Sequence, residues 1–442
     1  MLEEPVRLVE SPDEALTPRE RRLERGAAAL RWGAFANAAL SGLVILAALA
    51  GGLRLIPDLF PALHGLVLGR VAGPDDAAVA GAILLTQINT ALLLVLMVGV
   101  QARELWALAG VWLLAAANLL AIVSAGFTPA LLTVLFAAGT GLVISRDARA
   151  FRLNPVMLKE LRGRMRGVRA FFVLTVYLGL MSGFTALLYL IYTPVNQVTG
   201  SAAAGEVGRV LFMGIVGIEL VLIIFIAPAF TAGAITGERE RQTYDLLRAT
   251  LLPGPSFVMG KLESALTYVL LLLLAAIPLQ SIAFLFGGVT EGELVLAFVI
   301  LTVTAITLGT VGIYYSAITP RTLTASVRSY TATLVAAFVA PVVMSFVLGI
   351  LNAAAGRASP VVEAALVYLG DLVVSLNPIA TALSTQELLI NRQVIAFWTD
   401  TLASDGSTIP RVSPWITFTI IYLVVSAVLV VLSIHRTRRT EG

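Results

Sequence analysis

Glu238, Arg239, Glu240 and Arg241 form a run of alternating charge, followed at once by Thr243, Tyr244 and Asp245, between two long apolar stretches. On a helix, opposite charges at Glu238 and Arg241, Arg241 and Asp245, and Asp245 and Arg248 are three or four residues apart and share a solvated face. Tyr244, Leu247 and Leu251 fall on another face, and Pro253-Gly254-Pro255 ends the element. The chemistry such a surface offers is recognition of a soluble partner by charge and hydrogen bonding. A second candidate is Glu219, inside an apolar run, where a carboxylate is costly and faces water or protein. It either lines a polar path or, protonated or hydrogen-bonded, ties helices together. Gln280, Asn37, Gln87, Asn89 and Asn118 are read as interhelical hydrogen-bonding groups. The third is basic. Asn154 can cap a helix that Pro155 starts, and Lys159, Arg162, Arg164 and Arg166 then alternate with a face of Met157, Leu161, Met165 and Val168. That pattern suits a helix lying in the membrane interface with its cations near lipid phosphates; an ordinary basic loop is the alternative.

Other chemistry is poorly provided for. Two His and no Cys argue against metal, thiol and disulfide chemistry. Gly254 to Gly260-Lys261 approaches a phosphate-binding loop but has five intervening residues and is followed by Leu262, so no nucleotide site is expected. No cofactor is expected in this chain, and no nucleic-acid partner.

The elements that must position these residues are membrane helices. Of 442 residues, 58% are hydrophobic and 13% charged, about half the charge of an ordinary soluble chain. The mean hydropathy is +0.92. This is more apolar surface than one globular core hides, so the solvent is lipid. Ten apolar segments are expected to span, near 33–52, 77–99, 105–124, 127–144, 170–192, 210–235, 262–286, 294–317, 329–351 and 414–434. Gly126 to Pro129 separates the third from the fourth. With both termini on one side, 24 of the 30 Lys and Arg lie on that side, which the positive-inside rule makes cytoplasmic. The first 32 residues are charged and no cleavable leader is expected. The chain divides into a charged tail (1–32), a four-helix membrane region (33–145), the basic helix region (146–169), a six-helix core (170–434) and a cytoplasmic tail (435–442). Within the core, 236–253 is the charged helix and 352–413 the long outer region, where Val361–Leu376 and Ile379–Ile390 are expected helices. The fold class is an all-α polytopic membrane protein. No internal repeat is evident.

The run Ala227-Pro228-Ala229-Phe230-Thr231-Ala232-Gly233-Ala234-Ile235-Thr236-Gly237-Glu238-Arg239-Glu240-Arg241-Gln242-Thr243-Tyr244-Asp245-Leu246-Leu247 resembles the signature of ABC-2 type permeases, the membrane subunits of ATP-binding-cassette transporters. Asn154 to Leu161, Val258-Met259-Gly260-Lys261 and Ser375-Leu376-Asn377-Pro378 are similar to that family as well, so the likeness covers about residue 154 to the end. It departs in the four extra N-terminal spans and in Tyr244, where a smaller or aliphatic residue is expected.

The resemblance implies a six-helix half-channel, an elbow helix within 146–169 and a coupling helix that docks on an ATPase through Glu238, Arg239, Glu240, Arg241, Thr243, Tyr244 and Asp245. It implies a separate ATPase chain carrying ATP and Mg²⁺, a homodimer of permeases, export, and residence in a bacterial plasma membrane. The residues alone leave two alternatives: a secondary transporter or channel using Glu219, and a membrane scaffold that recruits proteins through its basic loops.

Overall fold

The computed structural model describes residues 17–52, 76–166, 168–195, 201–244, 246, 253–354, 360–404, 406 and 408–439. The N-terminal region is built from α1 (Pro18–Gly52), α2 (Asp76–Ala102), α3 (Leu105–Ala125) and α4 (Ala130–Ser145). Then come α5 (Pro155–Met165), α6 (Val168–Val195), α7 (Ser201–Thr231), the short α8 (Thr236–Glu240), α9 (Gly254–Leu285) and α10 (Glu291–Ile318). The chain closes with α11 (Thr322–Leu334), a π-helical turn (Val335–Val339), α12 (Ala340–Ala354), α13 (Pro360–Ser375), α14 (Pro378–Arg392), strands β1 (Phe397–Thr401) and β2 (Thr408–Val412), and α15 (Pro414–Arg439).

This is a polytopic membrane protein. Eight helices among the described residues are long and apolar enough to cross a bilayer, in α2, α3, α6, α7 with α8, α9, α10, α11 with α12, and α15. The two further spans expected from the sequence fall on α1 and α4. The apolar helix α4 has 16 residues, so it rises about 24 Å, short of a hydrocarbon core of about 30 Å. The break between α3 and α4 lies where Gly and Pro punctuate the run: Gly126 takes φ +68° and its N–H closes on Ile122 O.

The N-terminal helices are stitched by ion pairs at their charged end, Arg22 to Asp147 at 2.7 Å and Arg103 to Glu20 at 3.4 Å, and by uncharged groups within the apolar stretches. Asn89 and Asn118 exchange amide hydrogen bonds at 2.7 and 3.0 Å between α2 and α3, and Thr133 donates to Asn37 Oδ1 at 3.2 Å between α4 and α1. This region and the core are not separate bodies. One apolar cluster runs from Leu30, Leu93 and Val111 to Phe257, Ile313 and Val430, with α2 packed on α15 and α9. A second, around Phe212, Ile224, Leu272, Leu301 and Phe418, fills the core.

The outer region forms a broken pair: α13 and α14 meet at 116°. Asn377 makes the corner. Its Oδ1 accepts from Ile379 N and Ala380 N, capping α14, while its Nδ2 donates to Ala337 O at 2.7 Å. Ala337 is the residue whose carbonyl an α-helix would bond to the N–H that Pro341 lacks. The helices expected over 361–376 and 379–390 are therefore present, each shifted slightly. A two-stranded antiparallel hairpin follows, Phe397 opposite Val412 and Thr401 opposite Thr408, in the part of the outer loop for which no element was expected, so the fold is not wholly α-helical.

Candidate functional site

The charged segment after α7 is not one helix over 236–253. Helix α8 stops at Arg241 because Gln242 takes a left-handed backbone, φ +58°. Thr243 N donates to Glu238 O at 3.0 Å and Gln242 N to Arg239 O at 3.0 Å, the bond pair of a left-handed helix stop. Thr243 Oγ1 also donates to a Glu238 carboxylate oxygen and locks the turn. The ladder expected from Glu238 through Arg241 to Asp245 is thereby interrupted. Asp245 lies outside the described residues, as do 247–252.

Helix α8 is held from four directions. Ser316 Oγ accepts from Ile235 N at 2.9 Å and from Thr236 N at 3.1 Å, satisfying two of its leading donors. Arg239 donates to Thr319 O at 3.0 Å and to Ala317 O at 3.1 Å, filling carbonyls at the end of α10. Glu240 accepts from Thr322 N at 2.7 Å and Thr322 Oγ1 at 2.8 Å, so it caps α11. Glu238 accepts from Lys261 Nζ of α9 at 2.6 Å.

Lys261 is the hub. Its side chain is 4% exposed, and it also donates to Glu160 of α5. Arg164, one turn on, stands 3.7 Å from Glu160, donates to Phe230 O at 3.3 Å and lies 5.5 Å over the Phe230 ring. The adjoining Gly260 is required: a Cβ there would sit 2.6 Å from Asn154 Oδ1 and 2.9 Å from Val156 Cβ, pushing α5 off α9. Asn154 caps α5 through Val156 N at 3.0 Å, as its position before Pro155 suggests. It does more than the sequence indicates: its amide donates to Glu104 Oε1 at 2.7 Å and to Ser256 O at 2.6 Å, joining the α2–α3 corner to the start of α9.

Of the sequence-derived residues, Glu238 bonds Lys261, Arg241 lines the cavity beside it, Arg239 and Glu240 tie α8 to α10 and α11, and Thr243 closes the turn on Glu238. Lys159, Arg162 and Arg166 are exposed on or next to α5. Tyr244 is buried, edge-on to Phe257 with ring centroids 6.0 Å apart and 5.1 Å beneath the Arg239 guanidinium. Its bulk therefore serves as a wedge between α8 and α9. Facing outward are Arg241, Gln242 and Leu246, the last 69% exposed, together with Glu240, which is exposed while it caps α11. A cavity of about 780 Å³ opens beside the hub, lined by Glu160, Arg164, Arg166, Arg241, Lys261 and Phe230 among others.

From sequence alone, Lys261 stands out only as part of two motifs, with no role given to its side chain, and Ser316 does not stand out at all. A lysine in the second turn of a long apolar helix was the available signal for the first; nothing local marks the second.

Glu219 is apart from this cluster. It is fully buried, and Gln280 Nε2 donates to its Oε2 at 2.8 Å, linking α7 to α9. Its Oε1 and the buried Tyr177 hydroxyl have no hydrogen-bond partner among the described residues. No group of three or more His, Cys, Asp or Glu able to hold a metal occurs among the described residues. The chain matches no family model and no curated protein.

Proposed function

We propose that this chain is the permease subunit of an ABC-type exporter, driven by a separate ATPase through α8. The supporting observation is mechanical. Helix α8 is bonded to α9, α10 and α11, and through Lys261 to α5, while Arg241, Gln242 and Leu246 point away from the protein. A push on that outward surface moves four elements together.

The docking role therefore divides. Arg241, Gln242 and Leu246 form the contact. Glu238, Arg239, Glu240, Thr243 and Tyr244 transmit it by fixing α8 to the spans. The elbow is α5, with Lys159, Arg162 and Arg166 toward lipid phosphates. With ten spans, counting α1 and α4, both termini share a side, and the Lys and Arg bias favours the cytoplasm for it, in a bacterial cell by the family likeness. Two copies, with two ATPases beneath, complete the pathway. Hydrolysis, ATP and Mg²⁺ belong to the partner.

The test is co-purification from native membranes. Arg241→Glu combined with Leu246→Glu should release the ATPase while the permease still inserts. Lys261→Met should retain it but lower its ATP turnover. A complex unaffected by the first pair sinks the reading.

A second reading has one observation in its favour. The unpartnered Glu219 Oε1 and Tyr177 hydroxyl offer a proton or cation a buried polar site in the core. A secondary transporter would move its cargo in liposomes with this chain alone and no ATP.

A further inference from the structure

A second cavity, about 710 Å³, lies where α2 and α3 meet α9, α10 and α15. Its walls are apolar, with Val95, Leu262, Leu266, Leu423 and Val430 among them. Two residues lining it are ionisable, Glu104 and Glu263, and both are acids. Each is fixed by a neutral donor: Asn154 Nδ2 holds Glu104 Oε1 at 2.7 Å, and Trp106 Nε1 holds Glu263 Oε1 at 2.9 Å. Neither has an ion-pair partner among the described residues.

The cations nearby in sequence are committed elsewhere. Arg103 stands 3.4 Å from Glu20, Arg152 Nε donates to Arg149 O at 3.2 Å, and Lys261 is clamped by Glu160 and Glu238. The faces of α2, α10 and α15 that line the cavity bring no titratable group, and α5 brings Met157. Burial, and after it the charge on Glu263, pushes Glu104 up to about 7. Two carboxylates in an apolar chamber without a counter-charge repel each other and lose solvation. A cation between them reverses both terms, and apolar walls reward a greasy body attached to it. Trp106, 40% exposed at the rim, supplies a ring of the kind cations favour.

We propose that this cavity binds a lipophilic monocation, its charge held between Glu104 and Glu263 and its apolar body against α9, α10 and α15. The site needs no ATPase, so its test is independent of the coupling assignment.

The probe is tetraphenylphosphonium, with tetraphenylborate as an anion of the same shape, in equilibrium binding to the purified full chain in nonionic detergent. Saturable binding of the cation and none of the anion is expected. Affinity should rise between about pH 6 and about pH 8 as Glu104 loses its proton. Glu104→Gln combined with Glu263→Gln should weaken cation binding at least about tenfold. Ala109→Trp, which fills the cavity and leaves both acids in place, should weaken it at least as much. Equal binding of cation and anion, or wild-type affinity in either variant, overturns the proposal.

Discussion

Each end of the molecule carries one cation clamped between two carboxylates, and the two clamps are built differently. At the α8 end, Lys261 lies between Glu160 and Glu238; at the hairpin end, Arg411 lies between Asp371 and Asp400. Lys261 is a point charge on a flexible stem, and its two acids sit on two different helices, α5 and α8. Arg411 is a rigid fork whose Nε and Nη2 grip one carboxylate, Asp371, while Nη1 reaches Asp400 on the neighbouring strand at 2.7 Å. Its guanidinium also lies 5.0 Å over the Trp398 ring, and Glu363 accepts from Ala403 N and Ser404 N at 2.8 and 3.0 Å. The hairpin clamp is thus a staple that fixes a local cap to α13. The α8 clamp is a joint among elements far apart in sequence. A staple gives one geometry; a joint lets a load on one helix reach others, which is what coupling requires.

The strongest way to break this contrast is Lys261→Met. It strands Glu238 and leaves Glu160 with Arg164 alone, beside a 4% exposed site, so a loss of about 3–5 kcal/mol is expected in thermal unfolding of the detergent-solubilised protein. Adding Glu160→Gln and Glu238→Gln should restore most of it, since the penalty is the unpaired charge. A triple variant no more stable than the single one would show that Lys261 acts by packing.

Arg411→Met should cost less, about 1.5–3 kcal/mol, because the site is partly solvated. Its readout is local: faster proteolysis within 397–412 with α9 unaffected. Arg411→Lys should recover only part, lacking the fork.

A third effect concerns Glu104, next to the α8 clamp. Its carboxyl is raised from 4.5 to about 7, first by burial and then by Glu263. The sign is opposite to that of an ion-paired acid. Between about pH 4.5 and 7 the folded chain holds a proton that the unfolded chain has released, so Glu104's contribution to stability falls as pH rises through that window. Glu104→Gln should flatten the fall of Tm with pH over this range; an unchanged slope would assign it to another group.

The smallest change is expected at the Asn89–Asn118 tie between α2 and α3, which is neutral. Asn118→Leu should cost about 0.6–2 kcal/mol, with no effect on either clamp.

What could be read from the sequence was local. Asn154-Pro155 starts α5 because an Asx cap and a proline at the first helical position act within three residues. Gly126 ends α3 for the same kind of reason, and span lengths follow from apolar runs. The stop at Gln242 was hidden, because a left-handed glutamine carries no signal as glycine would. The partners of Lys261 were hidden too: Glu160 is 101 residues away, and only packing of α5 on α9 at Gly260 brings it in. The hairpin left a fainter trace, in the β-prone Phe397–Thr401 and in Gly406 at φ +73° in the turn. The charges from Glu238 to Arg241 were visible, but periodicity puts Glu238 and Arg241 on one solvated face. The fold turns Glu238 and Arg239 inward to bond neighbouring elements, and leaves Glu240 exposed as the cap of α11 and Arg241 facing outward.

The most direct measurement uses the chain's lack of cysteine. Leu246→Cys provides a single thiol on the outward surface beside α8. In intact cells a membrane-impermeant maleimide should fail to label it. In inside-out vesicles it should label once the ATPase is stripped, and a cross-linker at that thiol should capture a P-loop ATPase with a yield that changes on adding ATP. Labelling from outside intact cells, or cross-linking to lipid alone, would contradict the account.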